Sequence, residues 1–181
     1  MIPEKIEMKN DEEKFIFTKL ISGKYELVMQ IYVRRQAMYT EFLSKLPDSA
    51  TYEKLTQEKI GKIEAEFYSI FKVELPKDYI EKLRHTNGLS NDGRSIVGVY
   101  DNDFLINNPR KKSMDILRFN SSFRDLTDIT DYIMLGKSGI DYIVYNIGEK
   151  KYQILSNGVM ECFGTFDSLL ELLYDFFEVK I

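Results

Sequence analysis

Aspartates are the residues of this sequence most able to do chemistry. The acidic side chains that we consider together are Asp101, Asp103, Asp125, Asp128, Asp131 and Asp141. Hard cations bind several carboxylate oxygens, so such a set could form the metal site of a hydrolase. No DxDxDG loop or histidine–carboxylate motif accompanies these aspartates, and we therefore favour a solvated acidic surface.

The same carboxylates could recognise a protein. Asp125, Asp128 and Asp131 recur every three residues ahead of a predicted strand, and Tyr142 and Tyr145 lie in the next one. We expect these carboxylates and phenols to converge on one rim, where tyrosines would supply contact area and carboxylates would steer a basic partner. Ordinary surface carboxylates and core tyrosines are the alternative. Our candidate partner-binding residues are Asp101, Asp103, Asp125, Asp128, Asp131, Asp141, Tyr142 and Tyr145.

Catalytic and cofactor motifs are absent from the rest of the sequence. His85, the one histidine, lies in the last turn of a predicted helix, without a serine or cysteine nucleophile in a recognisable motif. Cys162 alternates with Met160 in a predicted strand, which favours a small core residue. The sequence has no glycine-rich phosphate loop, so we predict no catalytic residue, cofactor, metal or small-molecule substrate.

Charge and composition narrow the possible partners and compartment. Lys and Arg total 25 against 29 Asp and Glu, which gives a net charge of −4 and disfavours nucleic acid and anionic lipid as partners. The start Met-Ile-Pro-Glu-Lys does not resemble a signal peptide, and no apolar run approaches the roughly 20 residues that span a bilayer. A single cysteine agrees with a reducing compartment. We therefore expect a globular cytoplasmic protein.

Three helices are predicted in the first half of the chain. The first runs from Lys24 to Leu46 and ends before Pro47, and the short apolar run 15–17 ahead of it could be a strand or a docking segment. The second follows Thr56 as a possible cap, and a third begins after Pro76 and closes at Asn87-Gly88. Apolar residues at helical spacing mark these helices: Val28, Ile31, Met38, Phe42 and Leu46 in the first, Ile60, Ile63, Phe67, Ile70 and Phe71 in the second, Tyr79, Ile80 and Leu83 in the third.

Strands dominate the second half. We predict a strand at 96–100, a loop-rich stretch from Asp101 to Asp131, and then an antiparallel meander, because its β-rich runs are joined by short turns. The four runs are Tyr132–Leu135, Ile140–Ile147, Tyr152–Leu155 and Val159–Phe163, separated by Gly136–Gly139, Gly148–Lys151 and Ser156-Asn157-Gly158. A final helix capped by Thr165 should cover one face of the sheet.

The order of these elements resembles the SUKH superfamily from Ile60 to the C-terminus. The residues that carry the resemblance are Leu75-Pro76-Lys77-Asp78-Tyr79, Asn87-Gly88, Tyr132-Ile133-Met134-Leu135-Gly136 with Gly139 and Asp141, and Thr165-Phe166-Asp167-Ser168-Leu169. The chain looks most similar to Bacillus-type members with a helical N-terminal addition. It departs from them in a longer, more polar stretch between Tyr100 and Asp131 and in a turn, 137–141, that is less rich in glycine and aspartate.

The resemblance implies an α+β fold with a mainly antiparallel sheet flanked by helices and no active site. It places the domain at residues 56–181 and makes 1–55 a helical extension packed on it. Bacterial relatives are similar to immunity proteins that block a toxin domain, frequently a nuclease, and eukaryotic relatives look like regulatory adaptors. Our leading hypothesis is a non-catalytic immunity protein that binds a cognate, basic toxin domain. A regulatory adaptor and a metal-dependent hydrolase are the alternatives.

Overall fold

The computed structural model describes the backbone of residues 4–10, 13–19, 24–101, 106–107 and 114–180. Side chains are described for those of these residues that lie at position 33 or later, except for residues 35 and 49. The chain divides into two compact units, Met1–Met38 and Tyr39–Ile181. The division falls inside the first helix, whereas the boundary predicted from the sequence lies near residue 55. In the first unit, strands β1 (Glu4–Asn10) and β2 (Glu13–Lys19) pair antiparallel, and the apolar run 15–17 lies in β2.

The first three helices agree with the prediction. They are α1 (Lys24–Ser44), α2 (Gln57–Phe71) and α3 (Lys77–His85). The Thr56 hydroxyl accepts the Lys59 N–H at the start of α2, and Gly88 has a φ of 98° just after α3. The predicted inward residues are buried except for Met38 and Ile70, which are exposed, and for Val28 and Ile31, whose side chains lie outside the described part.

The second unit is built on a six-stranded antiparallel sheet, so the predicted α+β class is confirmed. Neighbouring strands follow chain order: β3 (Leu89–Asn91), β4 (Arg94–Ile96), β5 (Tyr132–Lys137), β6 (Asp141–Asn146), β7 (Lys151–Ser156) and β8 (Cys162–Phe166). Strands β5 to β8 form the expected meander. Its last strand begins three residues later than predicted, after a turn in which Gly158 has a φ of 140°.

The strand predicted at 96–100 is wrong in position. Strand β4 ends at Ile96, and its hairpin with β3 turns at Asp92-Gly93, where both residues have positive φ. An Asp-Gly pair is a strong signal for this kind of turn. Gly136 was predicted to separate strands but lies within β5, paired with Ile96 of β4. The position requires glycine because a Cβ there would collide with the Ser95 carbonyl.

The largest error concerns the stretch predicted to be loop-rich, which contains helix α4 (Ile116–Thr127). Asp115 caps its start by accepting the Arg118 N–H, and Asp128 ends it with a φ of 56°. Helix α4 buries Ile116, Asn120 and Phe123. A polar residue in the middle of the buried stripe hid the helical periodicity.

Helices cover both faces of the meander. Met134 and Val144 point to one face and pack with Phe123 of α4, whereas Ile133 and Ile143 point to the other and join the larger core. That larger core also holds α2, α3 and α5 (Leu169–Phe176). Ser168, and not the predicted Thr165, caps α5, because Thr165 is still part of β8. Within the described residues, no helix combines the length and apolar character needed to cross a bilayer.

Candidate functional site

Three of the predicted site residues lie together at the end of α4. Asp125 is in its last turn, Asp128 is its C-cap, and Asp131 follows just before β5; all three are exposed. Between them Leu126 is 84% exposed. We call residues 125–131 the acidic corner. It carries three carboxylates, no cationic residue and a large apolar side chain in the solvent.

The two tyrosines do not converge on this corner. Tyr142 and Tyr145 are three residues apart on β6, and successive strand residues alternate between faces, so they lie on opposite sides of the sheet. Tyr142 packs on Phe123, with ring centroids 5.7 Å apart, and Tyr145 packs on Tyr152 at 5.1 Å. Both phenol rings therefore pack against the sheet, and they do not form one rim with the acidic corner.

The remaining aspartates are dispersed. Asp141 is bound to Ser138 in the turn between β5 and β6, at the end of that hairpin opposite Asp131. Asp101 pairs with Lys59 at 3.5 Å, and Asp103 lies outside the described residues. Among the residues that the structure describes, no group of three or more His, Cys, Asp or Glu could hold a metal ion.

His85 and Cys162 also have defined surroundings. The His85 ring stacks on Tyr39 with centroids 4.9 Å apart, and its Nε2 lies 3.5 Å from the Glu81 carboxylate. Cys162 was predicted to be a core residue, but it is exposed. Cys162 begins β8, an edge strand whose first two residues, Cys162 and Phe163, are both exposed; its Sγ lies 3.4 Å from the Gly164 carbonyl oxygen.

A cleft of about 1110 Å³ opens between α2 and α4. Its α2 wall presents Lys59, Lys62, Ile63, Glu66 and Ile70, and its α4 wall presents Leu117, Arg118, Ser121 and Ser122. Tyr52 and Tyr100 meet edge to face at one end, with ring centroids 6.4 Å apart. This concavity was not predicted from the sequence because it depends on α4, although Asp115 before an apolar pattern was a usable signal for the start of that helix.

Buried polar side chains build the cleft floor by replacing missing strand partners. Asn87 accepts the Val99 N–H and donates to the Val99 carbonyl, each at 2.7 Å. Asp115 accepts the Tyr100 N–H at 3.1 Å. Val99 and Tyr100 are thus held by side chains, whereas Val97 and Gly98 before them keep backbone hydrogen bonds to Leu135, Met114 and Ile116. Gly98 fits here because a Cβ would lie 2.7 Å from two Asn87 oxygens.

Burial shifts the pKa of several groups near this floor. Lys82 is fully buried, with Nζ 3.2 Å from the Val97 carbonyl oxygen and 4.8 Å from the Tyr79 ring centroid. Desolvation lowers the pKa of Lys82 to about 7. Burial also raises the pKa of the Asp115 carboxyl and of the Tyr79 and Tyr100 phenols.

The arrangement is suited to binding. The carboxylate of Asp115 and the amide of Asn87 are engaged with backbone groups, so they position the floor. The exposed polar side chains of the walls carry both signs of charge: Lys59, Lys62 and Arg118 against Glu66. Beyond Ser122, α4 continues for one turn to Leu126, so the cleft leads toward the acidic corner.

No family model matches this chain, and no curated protein matches it. Among solved structures, it is similar to the crystal structure of a protein from Pseudomonas syringae pv. tomato, with a TM-score of 0.55 and 13% sequence identity. The similarity covers 77% of this chain and 96% of that one. At this identity the similarity concerns the fold alone.

Proposed function

We propose that this protein is a non-catalytic immunity protein that neutralises a basic bacterial toxin domain by forming a stoichiometric complex in the cytoplasm. One observation carries the proposal: Leu126, 84% exposed, stands among the carboxylates of Asp125, Asp128 and Asp131. A large apolar side chain on the surface is a typical anchor of a protein interface, and carboxylates around it favour a cationic partner.

Energetics explains why this combination suits an inhibitor. Burying Leu126 in a partner would contribute about 2 kcal/mol of binding free energy. Exposed carboxylates contribute little to affinity singly, yet together they raise the rate of encounter with an oppositely charged protein by about 10-fold or more at low salt. An immunity protein must reach its toxin before the toxin reaches its target, so a fast encounter is useful.

Several further observations support the proposal. The sequence resembles SUKH proteins in the order of its motifs, and bacterial members of that superfamily are similar to immunity proteins. A net charge of −4 favours a cationic partner. The buried polar groups of the cleft floor hold the backbone, and blocking a toxin needs no chemistry by its inhibitor.

The test is protection of growing cells. The polypeptide encoded by the neighbouring reading frame is expressed alone and with this protein, and the complex is then purified. The neighbouring polypeptide alone should arrest growth, its co-expression with this protein should restore growth, and the two chains should co-elute in a fixed ratio. A regulatory adaptor would give a complex without rescue. Failure of both rescue and co-elution would contradict the immunity function.

A charge-matched pair of variants tests the surface. The triple variant Asp125→Asn, Asp128→Asn and Asp131→Asn removes three charges, and asparagine tolerates the positive φ at position 128. The control Glu64→Gln, Glu74→Gln and Glu161→Gln removes three exposed charges elsewhere. Rescue of growth should need a higher expression level of the triple asparagine variant than of the triple glutamine control. Equal rescue by both would exclude the acidic corner as the docking surface.

A further inference from the structure

We infer that the cleft between α2 and α4 receives an amphipathic helix of the partner, with basic residues at the end that faces the acidic corner. This inference rests on the proposed function, which supplies a basic protein partner. It adds the place and the secondary structure of the element that is recognised. Three features of the cleft support it: its length, the state of its backbone groups and its charge.

The cleft has the dimensions of a short helix. Helices α2 and α4 run in the same direction along the cleft. Both helices begin at one end, which is marked by Asp115 and by Asp101 beside Lys59. Both finish at the other end, where the Arg124 guanidinium lies 4.7 Å from the Phe71 ring centroid. From Lys59 to Ile70 the α2 wall is about 16 Å long, at 1.5 Å per residue. A helix of about 10 Å diameter and that length fills about 1300 Å³. The cleft measures about 1110 Å³ and is open to solvent, so it would take up most of such a helix and leave one side exposed.

The backbone of the cleft favours a helix over an extended segment. Both walls are helices, whose N–H and C=O groups are bonded internally. On the floor, the Val99 N–H and C=O are bound by Asn87, and the Tyr100 N–H is bound by Asp115. An extended peptide would therefore find no strand edge to pair with, whereas a helix satisfies its own backbone.

Charge fixes the orientation of the helix. Glu66 and Asp125 lie toward the end where both helices finish, and helix C-termini carry partial negative charge. Two cations, Arg124 over Phe71 and Lys72 at the C-cap of α2, are outnumbered at this end by four carboxylates, those of Glu66 and of the acidic corner. At the other end Lys59 pairs with Asp101. Basic residues of the incoming helix are therefore favoured at the acidic end, and its apolar stripe faces Ile63, Leu117 and the exposed Ile70.

A model peptide tests the inference without knowledge of the toxin. The probe is a fluorescein-labelled Leu/Lys peptide of about 14 residues, about 21 Å as a helix, with leucines at i, i+3, i+4 and i+7. A peptide of the same composition with leucine and lysine scrambled has no apolar stripe. Fluorescence anisotropy should show saturable binding of the first peptide to the full chain and binding at least about tenfold weaker for the scrambled one.

Variants of the walls locate the binding. Ser122→Phe adds bulk to an exposed position of the α4 wall, and Ile70→Ala removes apolar surface from the α2 wall. Ala65→Phe adds the same ring to an exposed position of α2 outside the cleft. Ser122→Phe and Ile70→Ala should each weaken peptide binding about tenfold, and Ala65→Phe should weaken it less than twofold. The helical circular dichroism of all three variants should equal that of the wild type. Equal binding of both peptides, or unchanged binding by both wall variants, would overturn the inference.

The two proposals fail separately. If Ser122→Phe protects cells as well as the wild type while the acidic-corner variant does not, the helix assignment is wrong and the proposed function stands. If the amphipathic peptide binds in the cleft but the chain never protects cells, the cleft binds helices and the immunity function is wrong.

Discussion

The side chain of Asn120 pairs with the backbone of Met134 as a strand would. Its Oδ1 accepts the Met134 N–H at 2.8 Å, and its Nδ2 donates to the Met134 carbonyl oxygen at 2.9 Å. The same Nδ2 also donates to the Ile116 carbonyl oxygen, and both Asn120 and Met134 are fully buried. This contact joins α4 to β5 at the point where β4 no longer runs beside it.

Replacement of Asn120 by leucine should destabilise the protein. The substitution keeps the approximate volume but leaves the N–H and C=O of Met134 buried without a partner, at about 3 kcal/mol for the pair. Urea unfolding should show that loss in the free energy of unfolding. The exposed position 122 on the same helix provides the control, Ser122→Leu, which should change it by less than about 0.5 kcal/mol. Equal stability of the two variants would show that the Asn120 contacts are dispensable.

Stability should depend on pH through Lys82. Its pKa is about 7 in the folded protein against 10.5 ordinarily, so between these values the unfolded chain binds more protons than the folded one. The free energy of unfolding therefore rises with pH across this window, by at most about 1.4 kcal/mol per pH unit from this group. The burial of Lys82 as a charged group costs no stability above its ordinary pKa of 10.5, and this cost is largest below pH 7.

The variant Lys82→Met isolates this effect. Methionine fills a similar volume without a charge, so the difference in unfolding free energy between variant and wild type should shrink as pH rises from 7 to 9. Chemical unfolding at several pH values measures it. A difference that stays constant over this range would mean that Lys82 remains charged in the folded protein.

Leu126 should act as the apolar anchor of the complex. Truncation by Leu126→Ala should speed dissociation from the toxin about 30-fold, which corresponds to about 2 kcal/mol, without loss of stability, since the side chain is exposed on a helix. Ile140→Ala is the matched control, because Ile140 is 75% exposed on a turn between strands. Surface plasmon resonance gives both dissociation rates. The same rate for the two variants would remove Leu126 from the interface.

The sequence predicted elements whose apolar residues recur without a break or are bounded by clear turn and cap residues. Helix α2 follows from Ile60, Ile63 and Phe67 with Thr56 as its cap, and the meander follows from β-rich runs between short turns. Helix α4 could not be found in this way, because Asn120 occupies the middle of its buried face and satisfies a backbone partner 14 residues away. That contact exists only in the folded chain.

The candidate site was predicted in part. The grouping of Asp125, Asp128 and Asp131 is present, with Leu126 added by the structure. The expectation for Tyr142 and Tyr145 ignored the two-residue repeat of a strand, which places residues three apart on opposite faces. The cleft depends on tertiary pairing by Asn87 and Asp115, which no local pattern encodes.

The association rate with the toxin tests the central claim most directly. Stopped-flow mixing at low and at physiological salt compares the wild type, the variant with asparagine at 125, 128 and 131, and the glutamine control at 64, 74 and 161. If the acidic corner steers the encounter, the asparagine variant should associate about 10-fold more slowly than the wild type at low salt, with a smaller difference at physiological salt. The control should associate at a rate close to that of the wild type. Equal association rates for all three proteins at low salt would contradict recognition through the acidic corner.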